Sequence, residues 1–133
     1  MRRAQLVNSL DKQRVLETIE PSGTPPDHLA RLVERLNAAR EVRPAAVPPD
    51  LVTMNSVVRV LDPETGDEDA YALVYPDDPA KDVEWITVHA ALGSELLGRW
   101  VGEEIEFRSR RGTQRLLVKG LDYQPEAAGH LHR

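Results

Sequence analysis

Along the second half of the chain apolar and polar residues alternate, whereas in the first half apolar residues recur every three or four positions, so the two halves predict different elements. Alternation predicts strands at Ser56–Leu61, Ala70–Tyr75, Trp85–His89, Glu104–Arg108 and Arg115–Tyr123. Turn chemistry separates them, in Asp62-Pro-Glu-Thr-Gly66, Pro76-Asp-Asp-Pro79 and Arg111-Gly112. Between the third and fourth strands the period changes, and Leu92, Leu96 and Leu97 fall on one face of a helix about two turns long. Gly98 closes that helix, and Gly102 supplies the positive φ of a tight turn before the chain re-enters the sheet. Helix nucleation in water is repaid only over ~12 residues or more, so this helix must be held by packing on the sheet. The second half reads as a small, mainly antiparallel sheet with one helix across a face.

In the first half, Leu6, Val7 and Leu10 point almost opposite to Val15, Leu16 and Ile19 at about 100° per residue, so one straight helix would not bury both sets. The first helix therefore starts near Ser9 or Leu10, with Ser9 or Asp11 as its N-cap and Leu6-Val7 extended before it. Glu20 to Asp27 breaks the pattern, and Thr24 followed by Pro25, Pro26 and Asp27 has the chemistry of a helix start. The second helix runs to about Arg43, with Leu29, Leu32, Val33, Leu36 and Ala39 in one stripe and Glu34, Arg35 and Arg40 outside it. Two helices joined by a short loop predict an antiparallel hairpin. Arg43 to Asp50 holds three prolines in eight residues and reads as a stiff, extended linker. The expected organisation is α+β: a short helical hairpin and linker over residues 1–47, then a sheet domain over residues 48–133. The tail from Gln124 to Arg133 has no periodicity and is expected to fray.

Composition narrows the function. A hydrophobic fraction of 41% and a charged fraction of 29% belong to a soluble globular chain. No run approaches the ~18 apolar residues of a membrane span, and the N-terminal stretch MRRAQLVNSLDK lacks a signal-peptide core, so a cytoplasmic location is expected. The absence of cysteine excludes disulfides, thiolate catalysis and cysteine-based metal sites. The net charge of −5 is uneven: residues 1–47 carry eight lysines and arginines against six carboxylates, residues 48–133 nine against sixteen. An acidic surface repels phosphate backbones, so the expected partner is a basic protein surface rather than nucleic acid.

Candidate chemistry is sparse. His130 and His132 fall in the tail, His28 in the first turn of the second helix and His89 at a strand end, with no shared ligand spacing. No serine lies in a G-x-S-x-G turn and no glycine-rich phosphate loop is present. Asp67-Glu68-Asp69 and Asp77-Asp78 occupy predicted turns, where solvated carboxylates are the ordinary explanation. Glu103, Glu104 and Glu106 read as a wet strand face. Glu20, Thr24 and Asp27 flank the tip of the hairpin, and Asp27 suits a helix start.

Four stretches carry a resemblance: Val52-Thr-Met-Asn-Ser-Val-Val-Arg-Val60, Leu73-Val-Tyr-Pro76, Ala90 to Gly102 with Leu96-Leu97-Gly98, and Leu121-Asp-Tyr-Gln-Pro-Glu-Ala-Ala-Gly129. Together they resemble the Gre-factor family, in particular its Rnk-type members, well over about residues 48–129 and by layout over the N-terminal hairpin. The resemblance implies a C-terminal module of FKBP-like fold, preceded by an antiparallel helical coil. It also implies a function, which is to bind RNA polymerase, with the module gripping the rim of the secondary channel and the coil entering it. On that basis the polymerase-contact residues are His89, Ala90, Ala91 and Leu92 before and in the short helix, with Asp77 and Asp78 in the neighbouring turn.

Two departures matter. Gre cleavage factors carry Ser-Pro before the short helix, where this chain has Ala90-Ala91. Helices of about ten and seventeen residues reach only ~15–25 Å, too short to carry Glu20 and Asp27 to a distant active centre. The resemblance thus implies a regulator that competes with Gre factors without stimulating transcript cleavage, acting as a non-enzyme, without cofactor or metal, as a monomer. Two other readings compete. A prolyl isomerase would need an aromatic-lined pocket, and the chain holds one Phe, two Trp and three Tyr. A generic interaction module of the same fold would act on a different partner.

Overall fold

The computed structural model describes residues 4–19, 23, 25–80 and 82–130. The chain begins with β1 (Leu6–Asn8), which feeds directly into α1 (Ser9–Thr18). The cap is Asn8 rather than the expected Ser9 or Asp11: its Oδ1 accepts from the N–H groups of Leu10 (2.9 Å) and Asp11 (3.4 Å). Asp11 is instead turned inward and buried.

Helix α2 spans Asp27–Ala38 and ends well before Arg43. Its start has no side-chain cap; the carbonyl of Pro26 accepts from Leu29 and Ala30. It stops early because the next residues pair elsewhere. The N–H of Arg40 donates to the carbonyl of Gln5 at 2.9 Å, and β2 (Arg40–Val42) lies parallel to β1, with Leu6 opposite Arg40 and Asn8 opposite Val42. Tertiary pairing overrides helix propensity here. The proline-rich segment is not extended throughout; Pro44–Ala46 forms a 3₁₀ turn.

The sheet contains β3 (Val57–Leu61), β4 (Glu68–Val74), β5 (Trp85–Thr87), β6 (Glu104–Ser109) and β7 (Gly112–Tyr123), in the order β5-β4-β3-β7-β6. All neighbours are antiparallel except β4 and β5. Two register shifts between β3 and β7, beside Val57 and Arg59, curl the sheet. Each expected strand is present, though the third is shorter than Trp85–His89.

Helix α3 (Ala91–Leu96) packs on the sheet as its shortness requires. Leu96 and Leu97 are buried. Gly93 permits the approach, since a Cβ there would stand 2.0 Å from the carbonyl oxygen of Thr87. Gly98 and Gly102 have φ of 82° and 101° and make the turns read from the sequence.

One hydrophobic cluster joins both halves of the chain. Val7, Val15, Leu29, Leu32 and Leu36 pack with Met54, Val58, Leu73, Val88, Leu96 and Val118. The stripe of α2 therefore faces the sheet module, against α3. The described part of the tail, Gln124 to His130, is tied down rather than frayed, and residues 131–133 lie outside the described residues. Gln124 is buried and its Nε2 donates to the carbonyls of Pro48 (2.8 Å) and Leu51 (2.6 Å), while the Tyr123 hydroxyl bonds His130 Nδ1 at 2.6 Å. Among the described residues no helix is long and apolar enough to cross a membrane.

Candidate functional site

The most recognisable sequence stretches, Val52–Ser56 and Tyr123–Gly129, meet at the base of α1. Glu126 is the link: its two carboxylate oxygens accept from Asn8 Nδ2 and from Thr53 Oγ1, each at 2.7 Å. Thr53 and Ser56 are themselves buried and bonded to one another at 3.0 Å. One residue further, the N–H of Met54 donates to Asp11 Oδ2 at 3.0 Å. Burial lifts the Asp11 carboxyl to about pH 7, and the Glu126 charge adds to it, while the Met54 N–H and Arg14 pull the other way. The Tyr75 hydroxyl is buried beside Asp11 and Arg14; burial, then the Asp11 charge, raises its pKa strongly.

At the other end of α1 a second junction forms around His89. Thr18 Oγ1 donates to the carbonyl of Val15 at 2.6 Å and lies 2.8 Å from His89 Nε2. A hydroxyl has one proton, so Nε2 carries the hydrogen in this pair. From α2, His28 Nε2 donates to the carbonyl of His89 at 2.8 Å. Burial, followed by the neighbouring His28, depresses the His89 pKa. Both helices are thus clasped to the module by one residue.

The residues singled out from the sequence divide accordingly. Asp77 and Asp78 are exposed and share a cleft with Arg14, Glu17 and Thr18 of α1. Thr18 also touches His89, so the acidic turn and the clasp lie on the same end of the module. Ala90 and Ala91 are half-buried at the start of α3, and Leu92 packs against the core. Asp27 is exposed in the first turn of α2. Glu20, Thr24 and His132 lie outside the described residues. Among the described residues no cluster of three histidines or carboxylates could hold a metal ion.

Sequence reasoning missed Arg35 and Trp85. Arg35 was assigned to the outer face of α2, yet it turns inward, donating from Nη2 to the carbonyl of Ser94 and from Nη1 to that of Leu97 at 3.4 Å. It caps the end of α3, whose last carbonyls have no helical partner. Burial, with Arg99 beside it, lowers the Arg35 pKa to about 10 against the pull of Glu95 and Glu103. The short spacing of apolar residues in α3, with no basic residue in its last turn, was the available signal. Trp85 was read as an ordinary strand residue, and it is exposed.

Residues 47–123 match the family described as transcription elongation factor GreA/GreB, C-terminal. The chain is 35% identical over 132 residues to the regulator of nucleoside diphosphate kinase of Escherichia coli K12, covering 93% of each, and equally so to that of Shigella flexneri. Its structure is similar to a prokaryotic transcription elongation factor GreA/GreB from Nitrosomonas europaea, with a TM-score of 0.74 and 34% identity over 92% of this chain and 100% of that one. At 92% of this chain, the structural likeness extends beyond the sheet into the N-terminal part. The chain belongs to the GreA/GreB family of transcription elongation factors, among its regulators of nucleoside diphosphate kinase, and is a regulator of transcription-factor type.

Proposed function

We propose that this protein binds RNA polymerase at the mouth of the secondary channel and competes there with Gre factors without stimulating transcript cleavage. The observation that carries the reading is the double clasp at His89. Thr18 near the end of α1 and His28 near the start of α2 are both bonded there, so only residues 19–27 lie beyond the attachment. Ten backbone steps have a contour of roughly 35 Å, and a loop fixed at both ends projects at most half of it, about 17 Å. Long Gre coils, by the family resemblance, carry acidic residues to the polymerase active centre. Glu20 and Asp27 stop far short of such a distance, so they can obstruct the doorway without reaching the catalytic metal.

The acidic turn supports the same reading. Asp77 and Asp78 are exposed on the clasped end of the module, where they complement a basic rim. His89, Ala90 and Ala91 complete the contact, with Leu92 supporting the loop from the core side.

The test is displacement. Purified protein is mixed with core RNA polymerase at low salt, captured, and challenged with a Gre factor, and RNA hydrolysis is followed in stalled complexes. Capture, displacement and no added hydrolysis are expected. Added hydrolysis refutes the reach argument. Failure to capture polymerase refutes the assignment of the partner and favours an interaction module acting elsewhere.

A further inference from the structure

Val83 and Trp85 are the two large hydrophobic residues left exposed among the described residues, at 47% and 46%. They are not scattered. Trp85 opens β5 and stands on the face away from Ile86, and Val83 lies two residues before it, in the bend that leads into the strand. Together with Asp82, Glu84 and the half-buried Tyr71 of β4 they line one shallow cleft at the β5 edge of the sheet.

The backbone is set for this presentation. Asp82 holds φ at +66°, a conformation that L-residues adopt at a cost, just before Val83. The N–H of Ala72 bonds the Glu84 carbonyl at 2.9 Å, which fixes the strand beside Trp85. The hydrogen bond ties the Trp85 backbone to the sheet, and an indole, with two side-chain torsions, offers large contact area at a small entropy cost.

Its charge says what it fits. Asp69 and Glu84 are close enough to Tyr71 to act on its hydroxyl, which burial pushes up first. With Asp82 they make three carboxylates around the aromatic residues, and none of them is in an ion pair among the described residues. They outnumber the one lysine of the segment, Lys81. We propose that Trp85, Val83 and Tyr71, ringed by Asp69, Asp82 and Glu84, form a docking platform for an arginine-bearing segment of a partner protein. A guanidinium lies flat on an indole and forks onto a carboxylate at the same time, which an ammonium does less well.

A second copy of this chain fits poorly. Its own basic patch, the exposed Arg108, Arg110 and Arg111, sits at the β6–β7 turn, on the opposite edge of the sheet from β5. Pairing that turn with β5 would join opposite edges of the sheet head-to-tail rather than through one self-complementary patch.

The proposal rests on the polymerase-docking reading for its partner, and the experiment separates the two. Acrylamide quenching reports on Trp85, because Trp100 is buried. An alternating Arg-Val peptide should protect Trp85 from quenching, and a Glu-Val peptide should not. In parallel, Trp85→Ser and the double variant Asp82→Asn/Glu84→Gln, each checked for an unchanged melting temperature, should weaken capture of core RNA polymerase by tenfold or more. Capture equal to that of the unaltered protein overturns the platform and leaves the polymerase reading intact. Protection by the Arg-Val peptide without any capture of polymerase refutes that reading and supports the platform with another partner. A concentration-dependent dimer that Trp85→Ser abolishes overturns the proposal in favour of self-association.

Discussion

Replacing Asp11 with asparagine should stabilise the protein at alkaline pH and flatten its pH dependence. Asp11 is 4% exposed and accepts from the Met54 N–H, so the site wants an acceptor but not a charge. An asparagine Oδ1 accepts the same bond. The raised folded pKa of about 7, against an ordinary 3.8, means that the folded state binds this proton more tightly than the unfolded chain does. Stability is therefore full below about pH 4 as far as this group is concerned, and is lost as pH rises towards 7. Three pH units correspond to about 4 kcal/mol at most. Water entry and relaxation around a buried charge reduce that, and about 2 kcal/mol is the working figure. His89 acts in the opposite sense: its lowered pKa removes stability as pH falls below the ordinary histidine value, so the wild-type profile alone mixes the two groups. The difference between wild type and Asp11→Asn cancels His89. Urea unfolding of both proteins at pH 5, 6, 7 and 8 gives that difference, and with a slope of about 1–3 kcal/mol per molar the midpoints at pH 8 should part by roughly 1 M. Parallel profiles, or a variant less stable than wild type at pH 8, would refute the account of Asp11 as a buried charge.

Three further outcomes test other parts of the structure. Glu126→Ala removes the shared acceptor of Asn8 and Thr53 and should cost about 2–3 kcal/mol, whereas Glu126→Gln keeps one acceptor oxygen and should cost about half, both read by chemical denaturation. Gly93→Ala forces a Cβ against the Thr87 carbonyl and should cost about 3 kcal/mol, lowering the melting temperature more than Gly120→Ala, where a Cβ meets nothing within 4 Å. Charge reversal at Asp77 and Asp78 should slow association with polymerase at low salt, and Glu64→Lys, in a distant exposed turn, should not; equal effects would remove the acidic turn from the contact.

Elements set by their own period were legible in the sequence; those set by distant partners were not. The strands and α3 announce themselves because alternation and three-to-four spacing are local, and Gly98 and Gly102 because positive φ is a local demand. The choice of cap was not local. Asn8, Ser9 and Asp11 all suit the role, and Glu126, 118 residues away, decides it by holding Asn8. The end of α2 is likewise fixed by Gln5, which recruits Arg40 into a strand. The tail looked loose because polar side chains, not apolar ones, secure it. Gln124 and Glu126 leave no periodic trace. The acidic turn of the candidate site was readable, since Asp77-Asp78 between prolines can hardly be buried. The exposure of Trp85 was not, because an edge strand and a central one share the same alternation.

The junction at Glu126 has a consequence for how the protein is made. The first helix takes part of its seat from Glu126, so 118 residues must follow Asn8 out of the ribosome before that contact can form. Until then the cap of the first helix would stand without its distant partner, and the polar lock between Asn8, Thr53 and Glu126 would be among the later contacts to close.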